Sequence, residues 1–119
     1  FTESESLQAY GISTESPVNL SGMISPFYEI VMRVNTVTNP ALYFSVGCGN
    51  NCRGSIQLPT DSLTEWTRIN IPVSCLEKDG LDKNKIQVRG LFLSENGVNF
   101  DLNSIVIKDG KLTGKEVGC

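Results

Sequence analysis

Over residues 28–35 the apolar side chains Tyr28, Ile30, Met32 and Val34 alternate with Glu29, Val31, Arg33 and Asn35. A period of two places one set on a single face of a strand, whereas a helix would need a period of 3.6. The same alternation returns with Leu42, Phe44 and Val46 against Tyr43 and Ser45, after the Asn39-Pro40 turn signal. It returns again with Thr67, Ile69, Ile71 and Val73 against Arg68 and Asn70. Leu91-Phe92-Leu93 follows Gly90, and Val98, Phe100 and Leu102 alternate with Asn99, Asp101 and Asn103 beyond Glu95-Asn96-Gly97. Asn-Gly between two such runs predicts a β-hairpin. No amphipathic helix of about ten residues or more is predicted. Short strands separated by turns predict an all-β, two-sheet sandwich. Its outer faces would carry Glu29, Arg33, Tyr43, Ser45, Arg53, Gln57, Arg68, Gln87, Arg89 and Asn99, while Phe27, Phe92 and Phe100 continue the apolar pattern into the core.

A chain of 119 residues has the size of one domain, so residues 1–119 are read as a single β-sandwich. A hydrophobic content of 39% with 19% charged residues is that of an ordinary globular chain. Ten basic residues against thirteen acidic ones, unclustered, leave no electrostatic footprint for nucleic acid. No apolar run is long enough to span a bilayer, and the polar start, Phe1-Thr2-Glu3-Ser4-Glu5-Ser6, reads as a mature segment rather than a signal sequence.

Four cysteines, Cys48, Cys52, Cys75 and Cys119, can pair completely, which predicts a secreted or periplasmic setting. Three connectivities are open. A turn at Gly49-Asn50-Asn51 would let Cys48 close on Cys52 and leave Cys75 for Cys119. In the loop-entropy account these two bridges would contribute about 2 and about 4 kcal/mol. The cysteine spacings match no zinc site, and the chain has no histidine.

Independent catalysis finds little support. Without histidine, a serine or cysteine nucleophile lacks its usual base, and there is no Gly-x-Ser-x-Gly elbow. Glycoside hydrolysis needs a carboxylate pair. Glu29, Asp61, Glu65, Glu95 and Asp101 are available, but nothing in their spacing pairs them, and solvated surface carboxylates are the simpler reading.

Sugar recognition needs an aromatic face for the C–H surface of the ring and planar polar groups for its hydroxyls. Tyr43 and Trp66 fall in phase with polar neighbours and are the candidate stacking residues, with Arg33, Arg68, Gln87 and Asn99 beside them on one polar sheet face. Trp66 opens its strand, so a plug for one end of the sandwich is the competing reading. Arg53, in the cysteine loop, is a candidate for a sugar or a neighbouring domain, set against a solvated arginine. Asp101 is a candidate ligand for a structural calcium, although hard cations want six or more oxygens. No other cofactor is expected.

Two stretches carry a family resemblance. Val46-Gly47-Cys48-Gly49-Asn50-Asn51-Cys52-Arg53-Gly54-Ser55, followed by Trp66-Thr67-Arg68-Ile69-Asn70-Ile71-Pro72-Val73-Ser74-Cys75, resembles the C-terminal domain of bacterial family 3 glycoside hydrolases of the exo-β-glucanase and β-glucosidase type. Gly80-Leu81-Asp82 echoes the turn that follows in that family, and Phe100-Asp101-Leu102-Asn103-Ser104-Ile105 its late apolar strand. The resemblance runs over residues 18–107, and Cys119 has no counterpart in it. It implies a galactose-binding-like jelly roll from which catalytic residues are absent, because the nucleophile and acid/base of such enzymes lie in other domains. The chain is then expected to be an accessory domain of a larger hydrolase. Two functions follow from that expectation. One is a carbohydrate-binding module for β-glucan or an oligosaccharide. The other is a structural domain that packs on the catalytic domains and shapes the active-site entrance.

Overall fold

The structure, a computed structural model, describes residues 8–35, 42–94 and 99–118, without the side chains of 8–18, 88 and 89. Among these the chain forms β1 (Gln8–Val18), β2 (Pro26–Val34), β3 (Leu42–Gly49), β4 (Cys52–Gln57), β5 (Thr67–Pro72), α1 (Val73–Lys78), β6 (Ile86–Ser94), β7 (Phe100–Asp109) and β8 (Lys115–Glu116). One sheet runs β1-β6-β3-β4 and the other β7-β2-β5-β8. Every pairing is antiparallel except that of β5 with β8. This is the all-β sandwich that the alternation predicts.

The in-phase apolar residues make the core. Tyr28, Ile30, Met32 and Val34 of β2 and Ile69 and Ile71 of β5 face Leu42, Phe44 and Val46 of β3 and Phe92 of β6, all buried. Four rings connect the two sheets: Tyr28 meets Phe44 edge-on at 5.1 Å, Phe44 meets Phe92 at 5.3 Å, and Phe92 meets Phe100 at 5.0 Å between centroids. Tilted and edge-to-face pairs of this kind add to the gain from burial.

Those rings also explain a departure from the expected hairpin. The Glu95-Asn96-Gly97 turn lies outside the described residues, but β6 belongs to one sheet and β7 to the other. Phe92 and Phe100 belong to strands that face one another across the core, so the two strands pack face to face and do not pair edge to edge. The Asn39-Pro40 turn likewise falls outside the described residues. A second departure is at Val73, expected to close a strand. β5 ends at Pro72, which has no N–H to continue a ladder, and α1 then buries Val73, Cys75 and Leu76.

The stretches that carry the family resemblance pack on one another. Gly49 and Asn51 take positive φ at the β3–β4 turn, and Cys48 is bonded to Cys52 with their Cα atoms 4.9 Å apart. The Asp82 N–H reaches the Cys48 sulfur at 3.3 Å, and Asp79 accepts the Ser55 N–H at 2.8 Å. Gly54 allows α1 to approach β4: a Cβ there would sit 2.3 Å from the Leu76 carbonyl oxygen. Cys75 is also disulfide-bonded, while its expected partner, Cys119, lies outside the described residues.

Two stability changes follow. Phe44→Ala empties the middle of the ring series and should lower unfolding stability by about 3–5 kcal/mol, read as a shift of the urea midpoint at constant m-value. Replacing Cys48 and Cys52 together by Ala should cost about 2 kcal/mol in the same measurement.

Candidate functional site

Paired residues of neighbouring strands project to the same side of a sheet, so the register sets out the outer face of the β7-β2-β5-β8 sheet row by row. Arg33 lies beside Asp101; Val31 lies between Arg68 and Ser104; Glu29 lies between Asn70 and Val106; Phe27 lies between Pro72 and Lys108. Trp66 immediately precedes β5 and meets the Arg33 end of this face.

At that end the Arg33 guanidinium stands 5.1 Å from the centre of the Trp66 ring, a cation–π contact. Arg33 Nη2 also donates to Asp101 Oδ2 at 2.7 Å. The Asn35 amide donates to the same carboxylate oxygen at 3.1 Å and to Asn99 Oδ1 at 3.0 Å. The Asn35 backbone N–H reaches the Asn99 carbonyl at 2.8 Å, which ties the end of β2 to the start of β7. Trp66 nevertheless stays 49% exposed, with Arg33 and Asp101 near 40%. It does not plug the sandwich; it presents an indole to solvent, oriented by a cation that is itself held by a carboxylate.

Two rows further on, the same face is covered. Glu29 and Asn70 point outward from β2 and β5, yet both are buried. Residues that follow β7 lie over them. Thr113 Oγ1 donates to Glu29 Oε2, Lys108 Nζ donates to the same oxygen at 3.1 Å, and Asn70 Oδ1 accepts the N–H groups of Thr113 and Gly114 at 2.7 and 2.6 Å.

The expected single polar face is divided between the two sheets. Trp66, Arg33 and Asn99 come together, and Arg68 occupies the next row on the same side. Tyr43 faces outward from the other sheet, in register with Gln57 and Leu93; Arg53 lies on that side opposite Gly47; Gln87 is exposed on β6. Tyr43 and Trp66 therefore occupy opposite surfaces. The cause is topological: β2 and β3 follow one another in sequence but enter different sheets, so a shared alternation phase fixes inward against outward and not which surface is outward. Asp101, the expected calcium ligand, has its Oδ2 engaged by Arg33 and Asn35. Among the described residues no three acidic, histidine or cysteine side chains converge on a metal position. Asn35 is a site residue the sequence reading passed over. It continues the phase of Glu29 and Arg33 one step beyond the strand, and that is the signal that would have found it.

The two carboxyls with a shifted titration, Asp101 and Glu29, both favour the charged form. The Arg33 hydrogen bond, and after it Asn35, holds the Asp101 carboxyl below the usual carboxylate range. The Thr113 hydroxyl does the same for Glu29, against an opposing effect of burial and with help from Lys108 and Arg68. A glycosidase general acid needs a carboxyl raised above that range. What the exposed end offers is an aromatic surface, amide groups and a guanidinium within one network of contacts.

The chain matches a galactose-binding domain-like family over residues 2–107. Among curated proteins and among solved structures, none matches significantly. The match takes in both sheets through most of β7, along with Trp66, Arg33, Asn35, Asn99 and Asp101. The two-sheet fold, the cysteine loop and its packing partners agree with that match, and the chain belongs to the galactose-binding domain-like family found as the C-terminal domain of exo-β-glucanase, family 3 glycoside hydrolase-type enzymes.

Proposed function

We propose that this domain is a non-catalytic carbohydrate-binding module of a secreted or periplasmic family 3 glycoside hydrolase that acts on β-glucans. The observation that carries the reading is Trp66, half exposed on a sheet face and oriented by Arg33. A pyranose ring stacks on the indole, and Arg33, Asn35, Asn99 and Arg68 meet its hydroxyls. Asp101 contributes by fixing Arg33. Membership of a galactose-binding domain-like family supports a carbohydrate-binding or accessory role. One exposed aromatic gives weak affinity, which suffices when the module is tethered to a catalytic domain that shares the same polymer.

A second reading has its own observation. On the outer face of the β1-β6-β3-β4 sheet, Tyr43 and Leu93 are direct neighbours and Leu91 lies beside Ser45, with all three aromatic or aliphatic side chains only partly buried. This face suits packing against the catalytic domains of the parent enzyme, in which case the module shapes the active-site entrance from that side. Because the two surfaces are opposite, one domain serves both purposes.

Calorimetric titration with soluble β-1,3-, β-1,4- and mixed-linkage glucans separates the readings. Trp66→Ala should weaken binding about tenfold or more while the domain stays folded, and Tyr43→Ala should leave it unchanged. Loss of binding in Tyr43→Ala alone would move the site to the other face. No binding to any glucan would leave the packing role. Since the Asp101 carboxyl is held low, the Arg33–Asp101 pair is intact above the ordinary carboxylate range and is lost as pH falls through that lowered value. Affinity should therefore be flat from about pH 8 to about pH 5 and decline only in stronger acid.

A further inference from the structure

Residues 110–118 follow β7 and lie beyond the part of the chain that matches the family. Their first turn is anchored: Asp109 accepts the N–H groups of Ser25 and Ile24 at 2.6 and 3.2 Å, and the Gly110 N–H reaches the Ser25 carbonyl at 3.1 Å. The segment then crosses the outer face to Thr113 and Gly114, runs beside β5 as β8, and ends with the Val117 N–H on the Asn70 carbonyl at 2.8 Å and the Val117 side chain buried. Gly114 is required for this path, because a Cβ there would lie 2.5 Å from the Arg68 carbonyl oxygen. The segment closes the otherwise open edge of β5 at Ile69 and Asn70.

Two side chains hold the segment down, and they differ in kind. Asn70 is neutral, so the bonds its Oδ1 accepts from the segment carry no pH dependence of their own. Glu29 is the one charged side chain among the buried polar residues described, the others being Ser45, Asn70 and Ser94. The groups that face it are Arg68 and Asn70 from β5, Val106 and Lys108 from β7, and Thr113 from the segment; Lys115 and Glu116 of β8 are exposed. Lys108 at 3.1 Å and Arg68 at 3.8 Å supply the positive charge that makes a covered carboxylate tolerable. Take the charge from Glu29, and both cations lose their counter-ion beneath the segment.

We propose that residues 110–118 are a strap latched by ionised Glu29, and that loss of this charge releases the strap from the outer face while the sandwich stays folded. Its release uncovers Glu29, Asn70 and the β5 edge on the same surface that carries Trp66. The direction of the pH response follows from the carboxyl's lowered pKa, caused first by the Thr113 hydrogen bond. A group lowered in the folded state contributes fully above its unfolded value and loses that contribution as pH falls through the folded value. The strap is closed at neutral pH and opens in acid. The core follows only later, because the other buried polar side chains described carry no charge.

Amide hydrogen exchange, expressed as protection relative to an unstructured chain at each pH, tests this on the whole domain. Thr113, Gly114 and Val117 should lose about tenfold or more protection below the ordinary glutamate range, while amides of β2 and β3 keep theirs. Glu29→Gln should show the same selective loss at neutral pH. Thr113→Val, an exposed position that leaves the core intact, should do so in part and keeps the test open if the Glu29 variant fails to fold. Strap and core losing protection together at every pH, or strap protection indifferent to acid and to Thr113→Val, would overturn the proposal.

Discussion

The structure depends on the contact of the two sheets through Tyr28, Phe44, Phe92 and Phe100. Those rings fix which side of β2, β3, β6 and β7 is inner, and a strand has only two sides. Once Tyr28, Ile30, Met32 and Val34 face inward, Glu29, Arg33 and their neighbours must face solvent or find a cover. The outer surfaces therefore follow from the core, and their chemistry is whatever the alternate positions carry.

On the β7-β2-β5-β8 surface those positions divide into two regions. At one end, Arg33 and Asp101 neutralise each other, and the pair holds an exposed indole in place. At the other, Glu29 and Asn70 are covered by the chain that returns after β7. Arg68 stands between them, touched by Gly114 on one side and two residues from Trp66 on the other. On the opposite surface Tyr43 lies beside Leu93, and Leu91 beside Ser45, and among the described residues no ion pair joins them. On the proposed reading, a sugar polymer meets the first surface and the parent enzyme the second.

The period-two pattern made the sandwich legible, together with most of its core, because burial acts residue by residue along each strand. It could not assign strands to sheets. That information lies in contacts between distant residues, such as Phe92 with Phe100, and its absence produced both the expected hairpin and the single polar face. β4 escaped notice because Cys52, Arg53, Gly54, Ser55 and Gln57 leave Ile56 as its one aliphatic residue. Its placement comes instead from the cysteine loop and from the approach of α1. β8 is two residues held by polar groups, and no hydrophobic pattern announces such an element. Of the candidate site, Trp66, Arg33, Asn99 and Asp101 were legible as residues; Asn35 lies in phase with Arg33 in the sequence, but only its bonds show that it joins Asn99 to Asp101.

On the proposed reading, sugar binds at the Trp66 surface. Chemical-shift mapping of the ¹⁵N-labelled domain during titration with β-gluco-oligosaccharides addresses it without any substitution. Shifts should concentrate at the Trp66 indole N–H, Arg33, Asn35, Asn99 and Arg68, with the Tyr43, Gln57 and Leu91 surface unmoved. Shifts centred on Tyr43 and its neighbours, or no shifts at saturating oligosaccharide, would contradict it.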